Sequence, residues 1–415
     1  MSVDSKTINS EQKVVGIPGW CITVFLFWLG WVFMYADRTI LNPVMKDIQN
    51  EFGLNGTQLG LISSLFFLLY AIMQVPAGVL GDRIGRKKVL VPGFVLFGVF
   101  TAVTGSVRSF GQLLATRIVT GTGQGTYYGP QYGISSEQIP PEHRSLGSAV
   151  INSGMGFGIA LGLMTSSWLA YKLGLGWRTP FYFMAIPTTL TGLLIWWLVK
   201  EAPRPKAGTA AAGSGSSFMA LLKNRNLLLT YLMVFCSLFG FFVILTWLPY
   251  YLQTERNIPT TDIGNIASLV AWVSIPGGIL FARISDRLGK RKPLVMFLVP
   301  VAAVSLISIA FVHDVNQVII AICVYGFFGK LALDPVLVAI VADNAPKESY
   351  GTAFGLFNFV GMSSSILAPT IAGLIADSTG TLAANFYLSA AILMVGLIGM
   401  VFIKDAPANK STQEN

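Results

Sequence analysis

Apolar positions in this chain come in long unbroken runs, and polar residues collect in the gaps between them. Twelve such runs are legible, at about 18–41, 57–80, 88–107, 110–136, 145–171, 178–199, 226–252, 261–284, 293–312, 316–342, 349–376 and 383–403. A bilayer core of about 30 Å is crossed by roughly 20 apolar residues as a helix, so each run predicts one membrane span. The first is too long for a signal peptide and lacks a small-residue cleavage site, so it is kept as a span. Short connections join the runs except at 200–225, where the text GTAAAGSGSS has the composition of a flexible linker. The expected organisation is a terminal segment 1–17, a first bundle 18–199, the linker 200–225, a second bundle 226–403 and a tail 404–415.

Composition narrows the class further. The 415 residues are 53% hydrophobic and 11% charged, against about 25% charged in soluble domains. That disfavours a soluble enzyme, a nucleic-acid binder and a disulfide scaffold. Cys21, Cys236 and Cys323 lie in apolar runs with no Cys or His nearby, and His143 and His313 stand alone. No metal or other cofactor is expected. No Ser/His/Asp set or suitably spaced carboxylate pair points to an enzyme. Gly121, Gly125 and Gly129, like Gly154, Gly158 and Gly162, form small-xxx-small faces for close helix packing. The net charge of +9 gains meaning once it is divided by side. With both termini cytoplasmic, the external loops hold only Lys46, Arg108, Lys172, Arg178 and Arg256, and nearly all of the basic excess faces inward. This is the positive-inside pattern of a multi-pass plasma-membrane protein against an anionic leaflet. It calls for a lipid bilayer as partner and for no nucleic acid.

A repeat links the two halves. Gly78-Val-Leu-Gly-Asp82-Arg83-Ile-Gly85-Arg86-Lys87-Lys88 follows the second run. Ala282-Arg-Ile-Ser-Asp286-Arg287-Leu-Gly289-Lys290-Arg291-Lys292 follows the eighth, about half the chain later. The loop resembles the signature of the major facilitator superfamily, and with the twelve runs and the linker the resemblance covers essentially the whole chain. It implies an all-α membrane protein of 12 transmembrane helices in two pseudo-symmetric six-helix bundles, acting as a monomer. The halves rock about a midplane site. It also implies that Asp82, Arg83, Arg86, Asp286 and Arg287 brace a cytoplasmic gate. The plainer reading is that basic loops anchor topology, and Ala282 in place of the leading glycine weakens the second copy.

Charges inside spans are costly and mark functional sites. Here they are Asp37, Arg38, Arg117, Lys330 and Asp334. All fall on spans one, four and ten, which line the central cavity in the resembled fold. Lys330 and Asp334, spaced i,i+4, can pair on one face, and a structural ion pair is a serious alternative to function. Asp37 and Arg38 are adjacent and must diverge. Arg117 has no acid one turn away, so it awaits an anionic ligand or packs against Asp37; its planar fork suits a carboxylate. The surplus of one positive charge favours an anionic substrate. Tyr35, Tyr127, Tyr128, Trp247 and Tyr250 are candidate pocket residues, with an interfacial belt as the alternative for the last two. Asn358 needs a partner, either ligand or neighbouring helix.

Tyr35-Ala-Asp37-Arg38-Thr-Ile-Leu41, Arg117-x-x-x-Gly121 and Trp247-Leu-Pro-Tyr250-Tyr-Leu252 resemble motifs of the superfamily's anion:cation symporter branch. That branch includes galactonate and hexuronate transporters, sialin and vesicular glutamate transporters. The resemblance implies a small organic anion, a sugar acid or other carboxylate, contacted or gated by Arg38 and Arg117. Tyr35 and Asn358 complete the pocket, and Asp37 couples H⁺. One departure stands out: Gln124 occupies a position where the branch often has a carboxylate. Asp37 then carries coupling alone, Lys330/Asp334 substitute with Asp334 titrating, or the driving partner is Na⁺ or a counter-anion. Gln124 itself is counted with the pocket. Drug/proton antiporters and organophosphate:phosphate antiporters are the other readings, sharing Arg117-x-x-x-Gly121-x-Gly123 and a basic cavity respectively; a sensing receptor on the same fold is a more distant one.

Overall fold

A computed structural model describes residues 18–140, 143–201, 221–346 and 349–404. The expected terminal segment 1–17, residues 202–220 of the linker and all but the first residue of the tail 404–415 lie outside these. The first half comprises α1 (Gly19–Ile40), α2 (Met45–Phe52), α3 (Gly56–Ile84), α4 (Arg86–Gly105), α5 (Phe110–Gly125), α6 (Tyr128–Gln138), α7 (Arg144–Ser167) and α8 (Thr179–Leu198). The second comprises α9 (Arg225–Thr254), α10 (Thr260–Leu288), α11 (Lys292–Phe311), α12 (Val315–Phe328), α13 (Lys330–Asn344), α14 (Tyr350–Thr379) and α15 (Ala383–Val401). Among the described residues, 11 helical runs are long and apolar enough to cross a membrane. The fourth expected span is the exception, because it carries Arg117 and a string of glycines and divides into α5 and α6. The tenth span divides in the same way at Gly329, into α12 and α13.

Side chains set where several helices start. Asn55 and Gln58 form a reciprocal capping box on α3, and Ser109, Asn224 and Asp314 cap α5, α9 and α12. Each satisfies backbone N–H groups that have no intrahelical acceptor. The short helix α2 was not legible as a span, being charged and only partly buried through Met45 and Ile48.

The halves meet along α3 against α14 and α7 against α10. At one end they are in backbone contact. A methyl group on Gly60 would collide with the Pro369 carbonyl, and one on Gly264 with the Leu163 carbonyl. Asp377 of α14 accepts from the Gly56 and Thr57 amides at the start of α3, at 2.7 Å each. Ser167 donates to the Thr260 carbonyl at the start of α10 (2.6 Å), Asn42 to the Leu245 carbonyl (2.8 Å) and Tyr250 to Gln49 (2.6 Å). Toward the repeat loops the same helices separate: Gly78 of α3 and Gly355 of α14 have open space beside them. The fold is closed at one end and parted at the end carrying the repeat loops.

Candidate functional site

The polar centre of the first half lies where α1, α4 and α5 converge. Glycine allows the approach, since Gly121 of α5 packs directly on the Phe66 carbonyl of α3, leaving no room for a Cβ. That contact carries Arg117, one turn earlier, over the Phe66 ring (4.6 Å). Asp37 is fully buried and accepts from Thr101 Oγ1 (2.7 Å), Gln124 Nε2 (3.0 Å) and Arg117 Nη1 (3.4 Å). Arg117 therefore faces an acid of its own bundle, and the two charges offset each other.

Arg38 is placed differently. Its Nε donates to Gln124 Oε1 (2.9 Å). Both terminal nitrogens are buried and have no hydrogen-bond partner among the described residues. The guanidinium lies against the rings of Tyr70 (4.4 Å) and Tyr35 (4.5 Å), with Phe67 and Phe66 at 5.6 and 5.8 Å. Ring faces attract the cation without accepting from its N–H groups, and the Tyr70 hydroxyl lies near the guanidinium but outside hydrogen-bond geometry. Orphaned, buried donors on a charged group are costly. The two terminal nitrogens form the fork that takes a carboxylate bidentately. Gln124 serves both sides of this centre, donating to Asp37 while accepting from Arg38. A carboxylate there could not donate to Asp37 unless protonated.

The other expected residues divide into several groups. Tyr35 is half-buried beside Arg38. Tyr128 is half-buried and packs edge-on to Trp31 (6.0 Å), which in turn meets Tyr35 (5.7 Å). Tyr127 is placed in the core of the first half, donating to the Phe27 carbonyl (2.9 Å). Trp247 is likewise buried, donating to the Pro369 carbonyl (3.1 Å) at the closed end, where Tyr250 also sits. In the second half, Lys330 Nζ meets Asp334 Oδ2 at 2.8 Å, and Lys330 lies over Phe241 (5.5 Å). Asn358 on α14 is half-buried and has no hydrogen-bond partner among the described residues.

At the loops, Arg86 pairs with Asp82 (3.3 Å) and with Glu137 of α6. Its counterpart in the second half is Arg291, which pairs with Asp286 (3.2 Å) and Asp343 of α13 (3.3 Å). Arg83 and Arg287 point outward and are exposed. Both arginine clusters join the end of the repeat loop to the second segment of a broken span. Sequence reading missed Glu137 and Asp343, along with Phe66, Phe67, Tyr70 and Thr101. The i, i+1, i+4 aromatics of α3 were the available signal for the ring box.

A family model described as Major Facilitator Superfamily matches residues 27–308 and 230–415. A probable galactarate/D-glucarate transporter of Bacillus subtilis (strain 168) is 29% identical, covering 92% of this chain and 90% of that protein. A hexuronate transporter of the same organism is 25% identical over 92% and 93%. A bacterial homologue of the human lysosomal transporter Spinster, solved inward-facing and occupied, superposes with a TM-score of 0.77 at 16% identity, covering 92% and 96%. The low identity of that structure speaks for the fold alone. The chain belongs to the Major Facilitator Superfamily: it is a multi-pass membrane transporter and not an enzyme.

Proposed function

We propose that this protein is a secondary transporter of small organic anions, in the class of sugar acids and related carboxylates, with Arg38 as the carboxylate receptor. The observation that carries this reading is the Arg38 guanidinium, charged, buried, ringed by Tyr35 and Tyr70, and left with two donors unused. An anion at Arg38 would satisfy both donors and cancel the net charge of the site. The names of the relatives agree with this chemistry. Asn358, facing no partner of its own, is a candidate for the substrate's hydroxyl groups.

Arg117 then acts indirectly. It holds Asp37 as a carboxylate, and Asp37 is the proposed proton site. A proton on Asp37 would release Arg117 from its acid and strengthen the positive field around Arg38. Gln124 cannot titrate, so it positions both charges without carrying a proton. In this reading the termini and the repeat loops are cytoplasmic, the membrane is the plasma membrane, and the parted end opens inward. The arginine clusters at Arg86 and Arg291 hold each half rigid as it rocks. Each site is complete within one chain, in keeping with a monomer.

Uptake into proteoliposomes tests the proposal, with D-gluconate, D-glucarate, a sugar phosphate and a lipophilic cation as probes. Saturable uptake of the sugar acids, driven by an inward proton gradient and lost in Asp37→Asn, is the expected result. Uptake that ignores the pH gradient and requires internal anion would replace symport by exchange. Movement of the cation alone would overturn the reading.

A further inference from the structure

Lys330 and Asp334 are the charges of the second half that the proposed carboxylate site does not use. We infer that they form a second anion pole, engaged only by substrates with two carboxylates, and that a proton on Asp334 switches it on. The inference rests on the organic-anion reading above and extends it to substrate charge.

The two poles belong to different halves, Arg38 to α1 and Lys330 to α13. Lys330 opens α13 immediately after the break at Gly329. Its side chain is 8% exposed, whereas that of Asp334 is 31% exposed. Asp334 is within electrostatic reach of the Tyr128 hydroxyl from the other half. From Tyr128 the aromatic contacts run through Trp31 and Tyr35 to Arg38. Phe67 and Phe242 join the two halves at 4.9 Å, and Phe241, which underlies Lys330, abuts Phe242 at 5.6 Å. A run of buried ring contacts thus links the cation of one half to that of the other.

Charge balance gives the switch its logic. With Asp37 ionised, it cancels Arg117 as Asp334 cancels Lys330, leaving Arg38 as the one uncompensated intramembrane charge among the described residues in that state. One carboxylate neutralises Arg38. A dicarboxylate in the same place would leave a net negative charge in the membrane, which is costly. A proton taken by Asp334 from the adjoining water restores neutrality and frees Lys330, whose ammonium carries three donors, for the second carboxylate. The first-turn N–H groups of α13 add to the positive end presented there. When the substrate leaves, Lys330 returns to Asp334 and the proton departs on the same side as the substrate.

Few other groups can compete for that proton. Lys330 is the ion-pair partner of Asp334, and the Tyr128 hydroxyl lies within electrostatic reach of it. Of the helices packed on α13, α9 and α12 bring the phenols Tyr231 and Tyr325, and α14 brings Tyr350. The charged residues of α9, α10, α11 and α14 lie toward their ends.

The test uses two six-carbon acids of equal chain length, D-gluconate with one carboxylate and D-glucarate with two. The full chain in proteoliposomes should carry one more proton per D-glucarate than per D-gluconate. Lys330→Gln combined with Asp334→Asn keeps the net charge and should lower D-glucarate uptake about tenfold or more, a difference of one interaction of ordinary strength. D-gluconate uptake by the same protein should stay within about twofold, which also shows that the variant folds. Asp334→Asn alone should still take D-glucarate, with the pH dependence of its binding flattened. Equal proton counts, or parallel loss of both substrates, would overturn the second pole. So would wild-type uptake of D-gluconate without D-glucarate, and the Arg38 reading would survive in that case. Uptake of neither acid would remove both.

Discussion

The fourth and tenth spans are both broken, but their charges sit differently around the break. In the fourth, Arg117 lies in α5, two turns before the break, and turns into its own bundle to meet Asp37. In the tenth, Lys330 stands at the break itself and pairs with Asp334 on the next turn of the same helix. The first pair is sealed, with side chains 3% and 0% exposed; in the second the acid is 31% exposed. A sealed pair between two helices is structural as well as electrostatic. A pair within one helix, with its acid half open, can dissociate without moving a helix. Duplicated architecture has thus been given two kinds of pair, one sealed between helices and one open to water at its acid.

The largest expected effect tests that contrast. Arg117→Gln leaves Asp37 buried and unpaired, a loss on the scale of about 3–5 kcal/mol. It should show as a much lower thermal midpoint in detergent. Adding Asp37→Asn should recover most of the stability without restoring pH-driven uptake. Lys330→Gln leaves Asp334 with access to water, and should cost about 1 kcal/mol or less. Equal losses from the two single variants would break the comparison.

The next test concerns how each half closes on the other. The α14–α3 contact is capped by the Asp377 carboxylate, with bonds to two amides and to Thr57 Oγ1 (2.6 Å). Among the described residues, the α7–α10 contact has one neutral bond, from Ser167 to the Thr260 carbonyl. Charge-assisted bonds are the stronger kind. Asp377→Ala should therefore weaken the closed end by about 1.5 kcal/mol, solvent screening holding it at the low end for a charged bond, against about 1 kcal/mol for Ser167→Ala. Spin-label distances across Thr57 and Ser378, or thiol labelling from that side, would read the shift in population.

The smallest effect belongs to α2, for which the connection between α9 and α10 has no helical counterpart. Glu51 pairs with Arg178 (2.5 Å) and accepts from Trp177 Nε1 (2.7 Å). The hydrogen-bonded Arg178 guanidinium holds the Glu51 carboxyl below the usual carboxylate range. A lowered folded value means that the contribution is complete above the ordinary glutamate range and is lost as pH falls through the lowered value. Both side chains are about a third exposed, so screening limits it to about 0.5 kcal/mol. Glu51→Gln should flatten the acid side of the stability profile slightly and leave uptake unchanged.

Most of the architecture was legible because a bilayer demands long apolar runs, and any interruption shows. The five intramembrane charges stood out for the same reason. The Lys330–Asp334 pair was legible from its i,i+4 spacing, but choosing between partners on different helices was not, because that depends on rotation about each axis. Of the two readings open for Arg117, an anionic ligand or Asp37, the structure has Asp37, and it is Arg38 that is left with unused donors. Tyr127 and Trp247 read the same whether their polar tips meet a ligand or a backbone carbonyl, and here both meet carbonyls. Glu137, Asp343 and Asp377 were passed over because acids at helix ends carry no membrane cost.

The central claim is that Arg38, and not Arg117, receives the carboxylate. Equilibrium binding of D-glucarate and D-gluconate to purified protein tests it most directly, comparing wild type with Arg38→Gln. The substitution removes the two unused donors and leaves the Asp37–Arg117 pair in place. Binding of both acids should weaken about a hundredfold, the worth of a buried charged contact of about 2.7 kcal/mol, while the thermal midpoint changes little. Unchanged affinity in Arg38→Gln, with binding lost only when Arg117 is replaced, would contradict the account.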